Sequence, residues 1–193
     1  MSKMEELIKY NKLLRRYQKN RELVKINRTI SSGASNLFGV ILDFSDDLMH
    51  FAEVDEFRVH GEVIIEMSHY DSISHEAIDE TYKMIMEKEK KLSKSKPKKS
   101  NVDLKSWKTL FKSLKKHDKH VIIECEDLKN PSFNIGPIKK VGNNSLRIQN
   151  YDATGRLDEN DTKIKYESIT LVKFNDRYSS IFRKYLKKPK AAK

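Results

Sequence analysis

The chain has 193 residues and a formal net charge of +11, with 37% hydrophobic and 35% charged residues, a polar balance that eight Phe, eight Tyr and one Trp nonetheless mark as folded. Its single cysteine, Cys125, excludes an internal disulfide, and no run approaches the roughly 18 apolar residues of a membrane span. The expectation is a protein of the reducing cytoplasm with no membrane contact and no signal peptide, large enough for one domain or two small ones.

In chain order, the first pattern is Leu7, Tyr10, Leu13, Leu14 and Tyr17, the spacing of an amphipathic helix packed on a core, with Ser2 and Glu5 as a capping box. Five short strands and a longer closing helix, about His75 to Leu92, follow. Residues 88–100 then hold seven lysines and Pro97, the composition of a solvated linker. A second lead-in helix is predicted from Asp103, its cap, to Lys116. The strands after it are Val121–Glu126, Phe133–Val141, Ser145–Tyr151, Thr162–Tyr166 and Ser168–Phe174, parted by turn signals at Asn130-Pro131, Gly142-Asn143-Asn144 and Ala153-Thr154-Gly155. A short helix from Asp176 to Leu186 closes the chain.

The two halves read alike because they repeat. Adding 97 to the first helical set gives Leu104, Trp107, Leu110, Phe111 and Leu114. The same offset carries Val24 and Ile26 onto Val121 and Ile123, Phe38-Gly39 onto Ile135-Gly136, and Ile41 onto Ile138. An offset of 96 carries Tyr82 and Ile85 onto Tyr178 and Ile181 in the closing helices. Apolar phase kept through helix and strand marks a tandem duplication. The expected division is residues 1–92, a first helix-plus-barrel unit; 93–100, a linker; 101–187, a second unit; and 188–193, a disordered basic tail.

One helix followed by five short strands, with Phe38-Gly39-Val40-Ile41-Leu42-Asp43-Phe44 near the start and Tyr70-Asp71-Ser72-Ile73 or Tyr166-Glu167-Ser168-Ile169 near the end, resembles the Sm-like fold, a small SH3-like barrel found among bacterial proteins. Asn134-Ile135-Gly136-Pro137-Ile138 repeats the opening in the second unit. The resemblance implies a mainly β, α+β chain of two tandem five-stranded barrels, each with an N-terminal and a C-terminal helix. It does not carry over the family's RNA pocket. Met49 stands where that pocket has Asn, and neither closing turn has the Arg-Gly or Lys-Gly pair.

Charge is segregated along the chain. Residues 40–80 hold twelve Asp and Glu against one basic residue, Arg58. Residues 121–180 are balanced at nine of each sign, so the positive excess falls on the lead-in helices, linker and tail. Candidate phosphate contacts are Arg15, Arg16, Lys19 and Arg21 after the first helix, Lys112, Lys115 and Lys116 on the second, and Lys139, Lys140, Arg147 and Arg156 on the second barrel. The competing reading makes them solvated helix faces. The acidic first barrel would instead attract a basic partner, which sets orientation and association rate.

No catalytic pattern appears. Ser31-Ser32-Gly33-Ala34-Ser35 lacks the Gly-Lys of a phosphate loop, His50, His60, His69 and His75 match no metal spacing, and Asp152 to Arg156 reads as a polar turn. The expectation is therefore a non-enzymatic protein without cofactor or metal that binds nucleic acid, RNA in preference. The alternative is a protein-protein adaptor or regulatory subunit whose acidic first barrel meets a basic surface. A homo-oligomer built through strand edges, and whether the two barrels pair edge to edge, stay open.

Overall fold

A computed structural model of the chain describes residues 3–31, 33–89, 100–117, 119–126 and 129–189, with side chains from Lys9 onward. The Ser2 cap, most of the predicted linker and the end of the tail lie outside the described residues.

Helix α1 (Lys3–Asn20) leads into β1 (Leu23–Ile30), β2 (Gly33–Phe44), β3 (Leu48–Asp55), β4 (Arg58–Glu66) and β5 (Ser72–Ser74), then α2 (Ala77–Lys88). The second half repeats the order: α3 (Trp107–Lys116), β6 (His120–Cys125), β7 (Ser132–Val141), β8 (Ser145–Ile148), β9 (Thr162–Lys165), β10 (Leu171–Phe174) and α4 (Arg177–Phe182). The expected α+β class, mainly β with flanking helices, holds. The N-terminus of α3 lies three residues later than the sequence suggests. Ser106 caps it, accepting from Thr109 N, while Asp103 is spent on Lys105 N in the turn before.

All ten strands form one antiparallel sheet in the order β5-β1-β2-β3-β4-β10-β6-β7-β8-β9. The ladder does not stop between the halves, because β4 pairs with β10 through Val172 opposite Ile64, Lys173 opposite Val63 and Phe174 opposite Glu62. Each half has the same internal order, its fifth strand lying outside its first. Long, bent β2 and β7 need glycine at matching places. A Cβ on Gly39 would sit 1.9 Å from the Ala52 carbonyl oxygen, and one on Gly136 would sit 2.0 Å from that of Gln149.

Alternation along the strands makes two layers. One face of β1 and β2 presents Val24, Ile26 and Ile41 to Leu14 and Tyr17 of α1, and the equivalent face of the second half packs Val121, Ile123 and Ile138 under Trp107, Leu110 and Phe111 of α3. In each half the opposite face is covered by that half's own closing helix, and the β4–β10 register puts α1 with α4 on one side of the continuous sheet and α2 with α3 on the other. Met86 and Tyr82 of α2 lie on Leu23, Val40 and Val54, and Phe182 of α4 lies on Ile122, Ile135 and Tyr151. The N-caps Glu76 and Asp176 align these helices at an offset of 100, so Tyr82 matches Phe182 and Ile85 matches Tyr185. The pairing of Tyr82 with Tyr178 read from the sequence is one helical turn out. A helix register is blind to a four-residue slip, since i and i+4 share a face.

The halves share their cores. Leu48 and Ile64 of the first belong to the second half's core, and Leu171 of the second belongs to the first half's core. Polar bonds flank this seam. Arg28, 2% exposed, holds Glu126 through both Nη atoms at 3.2 and 3.1 Å, and Lys173 reaches both oxygens of Glu53 at 2.9 and 3.0 Å. Trp107 Nε1 donates to Glu66, and Ser45 donates to the Leu104 carbonyl.

Candidate functional site

Two groupings of chemistry-bearing side chains stand out, one buried in the seam and one at the open edge of the second half.

The buried one centres on Glu62. His50 Nε2 donates to Glu62 Oε2 at 2.6 Å, Ser100 Oγ donates to Oε1 at 2.7 Å, and Asn175 Nδ2 donates to the same oxygen at 2.5 Å. Burial by itself would raise the Glu62 carboxyl. The His50 hydrogen bond and charge, with Ser100 and Asn175, outweigh it and hold the group below its ordinary value. Lys119 Nζ extends the network through Asn175 Oδ1. His50 is 0% exposed, so its ring has no path to a solute, and the network fastens the halves together. Asn175 takes φ +54 and Asp176 follows it as the cap of α4, so the last helix is positioned by the seam.

The open edge is built differently. In β7, β8 and β9, Lys140 lies opposite Arg147 and Arg147 lies opposite Lys163. Cross-strand partners share a face, and all three residues are exposed, while the next rung, Val141, Leu146 and Ile164, turns inward. Three cations thus stand in line over two strand spacings, about 10 Å. Like charges directly opposite cost roughly 0.2–1 kcal/mol per pair. Lys140 and Lys163 have no ion-pair or hydrogen-bond partner among the described residues, and Arg147 spends one nitrogen on the Asp161 carbonyl at 3.2 Å. Lys115 of α3, on the face that Val141, Leu146 and Ile164 share with that helix, donates to the Lys139 carbonyl, and Lys139 Nζ reaches Gln149 Oε1 at 3.2 Å. Lys112 and Lys116 are exposed on the same helix.

The repeat shows what this row replaces. Asp43 lies opposite His50, and His50 opposite Ile64, at the matching rungs of the first half. There the positions form the seam, and Ile64 is fully buried. At the other end, Leu171 and Val172 of β10 correspond to Ser72 and Ile73 of β5 by their pairing with β6 and β1. The open edges therefore lack much of the apolar surface that joins the halves, and lysine on an edge strand opposes further pairing.

The remaining sequence candidates scatter. Arg15 lies over the Phe44 ring at 4.1 Å and Arg16 beside the Tyr17 ring at 5.0 Å, so both stems cover aromatic surface. Lys19 is exposed in the last turn of α1, and Arg21 occupies the tight turn after it at φ +50. Arg156 sits in the connection from β8 to β9, bonded to the Lys188 carbonyl, away from the row. Its neighbour Asp152 closes the turn. Hydrogen bonds from the Thr154 hydroxyl and the Arg156 and Thr154 amides hold its carboxyl below the usual range. Sequence reading missed Lys163, which is legible only once β9 is placed against β8.

Cys125 is buried, and burial pushes its thiol up. Among the described residues no three His, Cys, Asp or Glu side chains converge as a metal site, and no helix is long and apolar enough to cross a membrane. The chain matches no protein-family model, no curated protein and no solved structure.

Proposed function

We propose that the chain is a non-enzymatic nucleic-acid-binding protein, RNA in preference, made of two Sm-like small barrels fused edge to edge. The observation that carries it is the Lys140–Arg147–Lys163 row, a line of unneutralised charge kept on one face against its own repulsion. A phosphate backbone offsets that repulsion by releasing counterions. Lys139 adjoins Lys140 in β7, and Lys112, Lys115 and Lys116 make a separate exposed basic surface on α3. Matching strand order in the two halves, with the fifth strand outside the first, supports the barrel reading.

The test is binding of labelled single-stranded RNA and duplex DNA across a salt series. For a single strand the slope of log K against log salt is about −0.7 per phosphate neutralised. Replacing Lys140, Arg147 and Lys163 together by Ala should flatten the slope by about 2. Replacing Arg15, Arg16 and Lys19 should change it less, because two of the three lie on aromatic rings. Equal effects from the two triple variants, or no binding at moderate salt, would refute this surface.

A protein-adaptor reading is favoured by one observation. Asp46, Asp47 and Glu66 line a cleft of about 250 Å³ between the halves, beside Trp107. Acidic walls there suit a cationic side chain of a partner, and a partner that stays bound through nuclease treatment would support this reading.

A further inference from the structure

The cationic row shares its side of the second half with an aromatic stack. Leu146 and Ile148 of β8 belong to the core under α3, so Arg147 lies on the outer side, and alternation puts Gln149 and Tyr151 there with it. Backbone bonds carry the strand past the end of β8, Gln149 N donating to the Pro137 carbonyl at 3.1 Å and Tyr151 N to that of Ile135 at 3.3 Å. Four residues of strand separate Tyr151 from Arg147 by about 13 Å. Midway between them, Gln149 accepts from Lys139 Nζ.

Tyr151 is the floor of the stack. Phe182 of α4 lies on it with ring centroids 5.4 Å apart and planes 16° apart, and Tyr178 lies against Phe182 at 4.5 Å and 32°. Tyr151 is 6% exposed and Tyr178 is 52% exposed, so the stack runs outward from the core and ends in an open ring. Tyr178 precedes Phe182 by one helical turn and is the rim of the face that seats α4. Tyr185, 69% exposed, is a second open ring in the turn after α4. From Arg177 to Lys188 the chain has five basic residues and no carboxylate.

The first half completes the same place differently. Tyr82 stands there for Phe182, and the outer ring comes from the chain's own hairpin. Phe57, at φ +57 in the β3–β4 turn, stacks on Tyr82 at 4.0 Å and 8° and donates its amide to the Tyr82 hydroxyl. Ile78 holds the place of Tyr178. The rungs that match the cationic row form the seam. Thus the half that closes its stack with its own hairpin has no such row, and the half that keeps the row leaves its stack open.

We infer that Tyr178 and Tyr185 stack bases of a single strand whose phosphates lie along Lys140, Arg147 and Lys163. The inference rests on the nucleic-acid reading and narrows it to single strands. A duplex keeps its bases stacked on one another and offers the row only its backbone, whereas the unstacked bases of a single strand are free to lie on aromatic rings. A charged track for the backbone beside aromatic platforms for the bases is the combination that binds single strands without sequence preference, since every base has a π-face.

The test is fluorescence anisotropy of the full chain with three labelled probes of equal length: an oligouridylate, the same strand without its bases, and an RNA duplex. The parent should bind the intact strand at least about fivefold more tightly than the abasic one. Replacing Tyr178 and Tyr185 by Ala should remove that preference and leave the abasic and duplex affinities unchanged. The salt slope should stay as it was, because no charge is lost. Phe at both positions should keep the parent's affinity for every probe. Thermal melting checks that each variant is folded. Lys140→Ala, Arg147→Ala and Lys163→Ala together should weaken all three probes. An alanine effect equal on intact and abasic strands, or absent from both, would overturn the stacking and leave the row standing. Failure of the parent to bind any probe would refute the nucleic-acid reading, and this inference with it.

Discussion

Removing Arg28 alone tests whether the two halves are one folding unit. The guanidinium is 2% exposed and bonds to both Glu126 oxygens, to the Thr170 carbonyl and to Ser35 Oγ. Glu126 is itself only 17% exposed at its side chain and also accepts from the Thr170 hydroxyl. Arg28→Met leaves a carboxylate facing a nearly dry seam. Stranding one member of a buried pair costs about 3–5 kcal/mol, whereas replacing both with apolar groups of like volume is near neutral. With an m-value of about 2–3 kcal/mol/M, the single variant should lower the urea midpoint by between about 1 and 2.5 M. Arg28→Met with Glu126→Leu should recover all but about 1 kcal/mol. The Thr170 hydroxyl keeps a partner in that variant, since it also bonds the Glu124 carbonyl. The sole tryptophan, Trp107, reports the transition from within the seam, where it bonds Glu66. Either of two results would refute this reasoning. One is a single-variant loss below about 1 kcal/mol, the behaviour of a solvated surface pair. The other is a double-variant loss equal to the sum of the singles.

Two other predictions concern stability. Glu62 has a folded pKa below its unfolded one, so its contribution is complete above the ordinary glutamate value and is lost as pH falls through the depressed folded value. Acid unfolding of Glu62→Gln should therefore depend less steeply on pH below about 4.5 than that of the parent, as read by urea titrations between pH 3 and 7. Gly136→Ala should cost at least about 1–3 kcal/mol, because the added methyl meets the Gln149 carbonyl 2.0 Å away and backbone cannot rotate aside. A thermal melt within a degree of the parent would show that β7 can shift at that point.

Much of the fold was readable in the chain. Leu104, Trp107, Leu110, Phe111 and Leu114 were assigned to a core from spacing alone and are buried. The five strands of the second half fall within a few residues of their expected ends, because turn chemistry and period-2 alternation are local properties. Local signals also set the repeat, the lone buried thiol and the segregation of charge.

Tertiary structure decided the rest, since the relevant neighbours are far apart in sequence. Arg28 and Glu126 are 98 residues apart, and nothing near either announces the other. Ile64 and Lys163 occupy equivalent rungs, yet one lines a seam and the other an open edge, a difference created by the β4–β10 pairing. The cationic row has the same origin. Lys140, Arg147 and Lys163 are scattered basic residues along the chain, and they become one charged line only through strand register. Charge segregation by residue number is thus fixed by sequence, but charge density on a surface is fixed by which strands the fold lays side by side.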